Sequence, residues 1–363
     1  MQMCSPLRKK LPDFPWDALA PYGVKARKHP GGIIDLSQGT PVDPTPEFIQ
    51  KVLAESANSP SYPVTIGTAE LRSAMRNWAT KILGATGEFD VLPTIGSKEL
   101  VAWLPSILRA KTVLYPKVAY PTYLVGSMIH NSESIAVEID AATWPKSDIA
   151  WINSPSNPTG RVHSESELEA VIAYARSNNS LVVSDECYLS FPDTGPRPIS
   201  ILKLADGDNK NLLAVHSMSK RSNLAGYRAG LIVGDPDVIA EIREVRKHAG
   251  MMVPLPIQKA MTAALGDEVH VAEQAKRYAA RREVLSTALL AAGFKIDFSN
   301  AGLYIWCTRG EDSWDSVSWL AEIGILATPG IFYGQAGAKH IRIAMTATDT
   351  QIADAASRIM SNL

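Results

Sequence analysis

Leu212-Leu213-Ala214-Val215-His216-Ser217-Met218-Ser219-Lys220 sets a strand-like apolar run directly against two serines and a lysine. Beyond it comes Asn223-Leu224-Ala225-Gly226-Tyr227-Arg228, and then a second apolar run, Leu231-Ile232-Val233. A lysine between two buried runs needs a reason, because an unpaired ammonium is costly to bury. One reason is that its amine is held as a Schiff base to an aldehyde cofactor. Ser217, Ser219 and Arg228 would then hold an anionic group of that cofactor, most simply a phosphate. A solvated loop lysine is the competing reading, and Ser-x-Ser-Lys alone does not decide between them.

The bulk properties narrow the field. The chain has 363 residues, 46% apolar and 20% charged, which suits one large domain with a smaller one. A formal net charge of -1 makes no electrostatic case for nucleic acid or an anionic membrane. The basic run Arg8-Lys9-Lys10 reads as a solvated face. Cys4, Cys187 and Cys307 are too widely spaced for a disulfide framework or a zinc site. The N-terminal stretch carries no apolar signal core, and no run approaches the ~18 apolar residues of a membrane span. The expectation is a cytoplasmic protein with no metal.

Along the chain, residues 1–30 are proline-rich and read as an arm with one short helix near Trp16. A short strand at 33–36 runs into the turn Ser37-Gln38-Gly39-Thr40-Pro41. Phe48, Ile49, Val52 and Leu53 recur at helical spacing, and Thr68 opens a further helix through Ile82. From there short apolar runs at 91–94, 112–115, 149–153, 181–184, 212–216 and 231–233 alternate with helices at 98–108, 166–177 and 236–246. Fully apolar strands between helices predict a mainly parallel α/β sheet covered on both faces, with ligands at the strand ends. A long helical stretch at 257–292, broken near Gly266-Asp267, leads to strands at 301–307, 325–328 and 340–345. These form a smaller α+β unit closed by a helix at 349–360.

Polar residues stand just past those strand ends. Gly96-Ser97-Lys98 opens a helix, whose free N–H groups suit a phosphate. Asn157, in Asn157-Pro158-Thr159-Gly160, offers an amide to a phenolate oxygen of the cofactor. Asp185 ends an apolar run and wants a cation; a protonated pyridine nitrogen is one, and Tyr188 is near enough in sequence to reach the same ring. Tyr120 is placed to stack on a flat ring, with core packing as the alternative. Arg342 interrupts an apolar strand, as a clamp for a substrate carboxylate or as half of a buried ion pair. Each has an ordinary turn, cap or packing reading by itself.

In this order and spacing, the segments 36–41, Tyr62, 96–98, Tyr120, 157–160, 185–188, 217–220 with Arg228, and 341–342 resemble the class I/II pyridoxal-phosphate-dependent aminotransferases of fold type I, over nearly the full length. More narrowly, 219–228 and 35–44 resemble the actinobacterial type of N-succinyldiaminopimelate aminotransferase. Many members carry an aromatic-glycine pair after the lysine and its next residue; here Arg221-Ser222-Asn223 stands instead. The resemblance implies an arm with part of the small domain at 1–44, a large coenzyme domain at 45–250 and a small domain at 251–363. It implies pyridoxal 5'-phosphate bound by Gly96, Ser97, Lys98, Tyr120, Asn157, Asp185, Tyr188, Ser217, Ser219, Lys220 and Arg228. Lys220, Asp185 and Tyr188 would be catalytic, and Gly39, Asn157 and Arg342 would seat the substrate. Tyr62 would reach the phosphate in a neighbouring subunit, so a homodimer is implied.

The implied reaction moves the amino group of L-glutamate to N-succinyl-2-amino-6-oxopimelate, in lysine and diaminopimelate biosynthesis. Lys98, Arg221 and Arg27 are candidates for reading the distal carboxylates. Other activities on this fold stay open: aspartate, alanine or aromatic aminotransfer, or C–S lysis. A coenzyme-sensing regulator would need a DNA-binding domain, for which residues 1–30 are too short.

Overall fold

The computed structural model describes residues 11–12, 15–193, 195 and 197–363; Cys4 and the basic run at 8–10 lie outside them. Helix α1 (Ala20–Ala26) and strand β1 (Ile34–Asp35) lead into α2 (Glu47–Glu55) and α3 (Ala69–Trp78). Thr68 caps α3 as the sequence predicts, its hydroxyl accepting the Leu71 N–H at 3.2 Å. The helix then widens into a π turn, Ala79–Leu83, that Gly84 ends in a left-handed conformation.

A seven-stranded sheet follows. It is built from β2 (Asp90–Ile95), β3 (Thr112–Pro116), β4 (Glu133–Val137), β5 (Ile149–Asn153), β6 (Leu181–Asp185), β7 (Leu212–Ser217) and β8 (Ala229–Gly234). The strand order is β2-β8-β7-β6-β5-β3-β4, and only β8 runs against its neighbours. Interleaved are α4 (Gly96–Ile107), α5 (Thr122–His130), α6 (Glu165–Asn178), α7 (Ile201–Leu204), α8 (Met218–Arg221) and α9 (Pro236–His248). Successive residues of β7 alternate between two cores: Leu212 and Ala214 join one, Leu213 and Val215 the other. Side chains alternate across a strand, so a strand buried on both faces reads as an unbroken apolar run. Each fully buried Leu, Ile or Val contributes roughly 1.5–3 kcal/mol.

Besides the one-turn helices α7 and α8, two elements of this layer are absent from the sequence expectation. Strand β4 is an edge strand with exposed Glu133 and Ala136, so its apolar signal is weak. Helix α5 contains Gly126, which lowers its helical signal. There a Cβ would stand 2.8 Å from the Val101 carbonyl, so the glycine lets α5 lie close on α4.

The C-terminal part opens with α10 (Leu255–Leu265) and α11 (Val269–Ala291), separated where the sequence predicts a break. A four-stranded antiparallel sheet joins β9 (Lys295–Ile296), β10 (Tyr304–Thr308), β12 (Thr328–Pro329) and β13 (Ile341–Ala344) in the order β12-β13-β10-β9. Helix α12 (Ser313–Glu322), strand β11 (Ile325–Leu326) and helix α13 (Asp349–Met360) complete it. The strand expected at 325–328 is divided: β11 pairs in parallel with β1, and β12 pairs with β13. A third apolar core, including Leu36, Leu285, Leu303, Ile325 and Ile352, binds these pieces together.

Candidate active site

Three strand ends converge on the stretch around Lys220. The register pairs Gly230 of β8 with both Thr94 of β2 and Ser217 of β7. Gly96 follows β2 at a φ of +69°, and α4 begins there with no side chain capping its first turn. A Cβ on Gly96 would fall 2.5 Å from Nη2 of Arg228, so the guanidinium lies against bare backbone. Arg228 itself is left-handed, with φ of 57°, and donates from Nη1 to the Ala225 carbonyl at 2.8 Å. Ser217 and Ser219 are buried, and the Ser217 hydroxyl accepts the Ser219 N–H at 3.1 Å. Uncapped helix N–H groups, hydroxyls and a guanidinium form a donor set for a phosphate.

Lys220 is carried on α8, and its Nζ donates to the Gly39 carbonyl. Burial pulls its pKa below the ordinary lysine value. No carboxylate pairs with it among the described residues. Gly39 is where a side chain would collide: a Cβ there would lie 2.1 Å from the Tyr304 hydroxyl.

Asp185 ends β6, level with Asn153 of β5 and Val215 of β7. Its Oδ2 accepts from the Tyr123 hydroxyl at 2.8 Å and its Oδ1 from the Cys187 N–H at 3.2 Å. Burial raises its pKa, and no cation lies in ion-pair range among the described residues. Tyr120, half-buried beside Tyr123, has its pKa pushed up to about 12 by burial. The Tyr188 hydroxyl meets that of Tyr304 at 3.1 Å.

On the other wall, Arg342 of β13 is 3% exposed. Its Nη1 donates to Asn157 Oδ1 at 2.9 Å and its Nη2 to the Ser37 carbonyl at 2.5 Å. The guanidinium lies 4.0 Å from the Tyr304 ring centroid. Nε has no partner, and no carboxylate pairs with Arg342 among the described residues. The ion-pair alternative for this arginine therefore finds no partner within the described chain.

The family description "Aminotransferase class I and II" matches residues 32–359. The chain belongs to the class I and II aminotransferases. It is 50% identical over 357 residues to a probable aminotransferase of Mycobacterium tuberculosis, covering 96% of this chain and 85% of that protein. It is 48% identical over 359 residues to the 4-dedimethylamino-4-oxo-anhydrotetracycline transaminase of Streptomyces rimosus, covering 97% and 99%. Among solved structures, a probable N-succinyldiaminopimelate aminotransferase from Thermus thermophilus superimposes with a TM-score of 0.88 at 26% identity, covering 96% and 100%. The fold expected from sequence, fold type I with a mainly parallel mixed sheet, is the fold observed.

The class I and II aminotransferases depend on pyridoxal phosphate and act on small amino and keto acids. The donor set of this aminotransferase fits that coenzyme: a buried carboxylate without a cation suits the ring nitrogen, and the cradle at Gly96 and Arg228 suits the phosphate. Lys98 is exposed on the first turn of α4. Tyr62 is not drawn into the group; it is 93% exposed.

One expectation of this aminotransferase is overturned. Arg221 is not free to read a distal carboxylate: it is 3% exposed, donates to the Ala264 carbonyl at 3.0 Å and pairs with Glu268. Arg27 is exposed on the turn ending α1, packed beside Gly23. Sequence reasoning passed over Tyr123, Tyr304 and Cys187. Tyr123 follows Tyr120 by three residues and Tyr304 stands in an otherwise apolar strand, so both read as core aromatics, with the phenol oxygen as the one signal.

Proposed function

We propose that this aminotransferase moves the amino group of L-glutamate to N-succinyl-2-amino-6-oxopimelate, in a ping-pong cycle and as a homodimer. The observation that carries the chemistry is Lys220. It is a buried amine of depressed pKa, within electrostatic reach of Arg342, Arg228, Tyr304 and Cys187. Pyridoxal phosphate, when bound, supplies an electron sink for the pair released at the substrate α-carbon.

The chain's own residues do the rest. Lys220 would anchor the coenzyme covalently, and once freed its amine would serve as the base that takes the α-proton and the acid that returns it. Asp185 would keep the ring nitrogen protonated. Asn157 and Tyr188 would donate to the ring oxygen, and Tyr120 would stack on the ring. Ser97, Ser217, Ser219 and Arg228, with the N–H groups of Gly96 and Lys98, would hold the phosphate. Arg342 and Asn157, beside Gly39, seat the α-carboxylate. The open position of Tyr62 suits a contribution to a second subunit's phosphate site. Residues 45–250 serve as the coenzyme domain, and 251–363 with part of 1–44 as its smaller companion.

The acceptor is supported by the 219–228 and 35–44 segments and by the likeness to the Thermus thermophilus protein. A second reading has a specific observation behind it. A cleft of about 280 Å³ is lined by Tyr115, Tyr120, Phe332 and Tyr333, and its one cation, Lys117, is paired with Glu138. Such a wall suits a flat carbocyclic ketone better than a distal carboxylate, and the Streptomyces rimosus relative is named for one. Assaying the pure protein with glutamate against the succinyl- and acetyl-blocked oxopimelates and a polycyclic ketone separates the readings. Preference for the succinyl compound upholds the first; turnover of the ketone alone overturns it.

A further inference from the structure

Arg221-Ser222-Asn223, the triplet in place of an aromatic-glycine pair, makes one continuous set of polar contacts. Arg221 pairs with Glu268 and lies over the Trp78 ring at 5.4 Å, while the Trp78 indole donates to the same carboxylate at 3.1 Å. The Ser222 hydroxyl meets His270 Nε2 at 2.9 Å, and His270 Nδ1 meets Asp267 Oδ1 at 2.6 Å. Asn223 takes the left-handed backbone a glycine would, with φ of 54°. Its Nδ2 donates to Gln274 Oε1 at 3.0 Å, and its carbonyl accepts from Thr45 at 3.0 Å.

All three side chains therefore land on residues 264–274, around the start of α11. That helix carries Tyr278, Leu285 and Leu289 into the C-terminal core. The proton positions follow from the partners. Asp267 is held below the usual carboxylate range, first by the His270 backbone N–H, so it is an acceptor. Burial lowers the His270 pKa, so the ring is neutral: Nδ1–H donates to Asp267, and Nε2 accepts from Ser222. Serine, histidine and aspartate in this order would activate a nucleophile. Here Ser222 is 1% exposed, so no acyl group reaches it.

We infer that His270, oriented by Asp267 and hydrogen-bonded to Ser222, is a positioning residue for Lys220: it fixes the turn carrying the lysine to the first turn of α11. The inference rests on the reading of Lys220 as the coenzyme lysine. The turn is held by a directed hydrogen-bond chain, which sets orientation as well as distance.

The test compares His270→Leu, which keeps bulk but not the hydrogen bond, with His270→Gln, whose amide reaches the same hydroxyl. His270→Leu is expected to lower kcat about tenfold with KM for glutamate unchanged. It is also expected to speed amide exchange at 218–224 in the coenzyme-free full chain about tenfold, with β5 and β6 unaffected. His270→Gln should restore both. Wild-type kcat and exchange in His270→Leu would overturn the inference, as would faster exchange throughout with no rescue by glutamine, the mark of a merely structural residue. If Lys220 is not the coenzyme lysine, covalent labelling at Lys220 fails in the wild type; if only the positioning role is wrong, that labelling stays intact.

Discussion

Arg342 Nη1 donates to Asn157 Oδ1 at 2.9 Å, tying the C-terminal strand β13 to the loop after β5 across 185 residues. With its oxygen taken by an arginine, the Asn157 amide has its nitrogen left for a further acceptor. The guanidinium is held by Asn157, the Ser37 carbonyl and the Tyr304 and Tyr333 rings. Its planar fork is thus oriented by the protein alone. Arg342→Lys keeps the charge and loses the fork, so kcat/KM should fall about a hundredfold for glutamate and acceptor alike, mostly through KM. Steady-state kinetics on both half-reactions checks this; a loss confined to one substrate would contradict it.

Asp185 carries a prediction about stability and affinity together. Its folded pKa is raised by burial. The folded state therefore binds more protons than the unfolded one just above the ordinary carboxylate range, and stability falls as pH rises through that window. Above it the charged carboxylate is a standing cost that a ring cation relieves. Asp185→Asn should raise the melting temperature of the coenzyme-free protein at pH 7 by about 2 °C while weakening pyridoxal phosphate binding at least about tenfold. Calorimetry and fluorescence titration read the two halves.

Lys220 gives the opposite sign of pH dependence. Burial depresses its folded pKa below 10.5. Between the two values the unfolded chain binds more protons, so stability rises with pH there. Coenzyme-free Lys220→Met, which removes the buried amine, should melt higher than wild type at pH 7. The difference should shrink toward pH 10.5, the ordinary lysine value. Melting curves across that range check the sign.

Gly39 is a steric prediction. A methyl there would meet the Tyr304 hydroxyl at 2.1 Å, and Tyr304 is the partner of the Tyr188 hydroxyl at 3.1 Å. Gly39→Ala should displace the buried Tyr304 and cost about tenfold or more in kcat/KM. Unchanged kinetics would show that Tyr304 moves aside freely.

The parts of the fold legible in sequence are those where one physical pressure acts alone. Strands β5 to β8 are buried on both faces, so their apolar runs stand out. Strand β4 at the edge and helix α5 around Gly126 obey pressures from neighbours that no local pattern records. The site divides the same way. Lys220, Asp185 and Arg342 are charges in apolar runs, and such residues declare themselves. Tyr123 and Tyr304 look like core aromatics until the structure brings their hydroxyls to Asp185 and Tyr188. Arg221 shows the reverse error: a cation beside the lysine in sequence points instead to Glu268 and Trp78.

The central claim is that one amine, on Lys220, holds the coenzyme. The direct measurement is to incubate the full chain with pyridoxal phosphate, reduce it with borohydride, and locate the modified residue by peptide mass spectrometry. The account predicts one stoichiometric pyridoxyl group on Lys220, absent from Lys220→Ala. Modification at another lysine, or none at all, would contradict it.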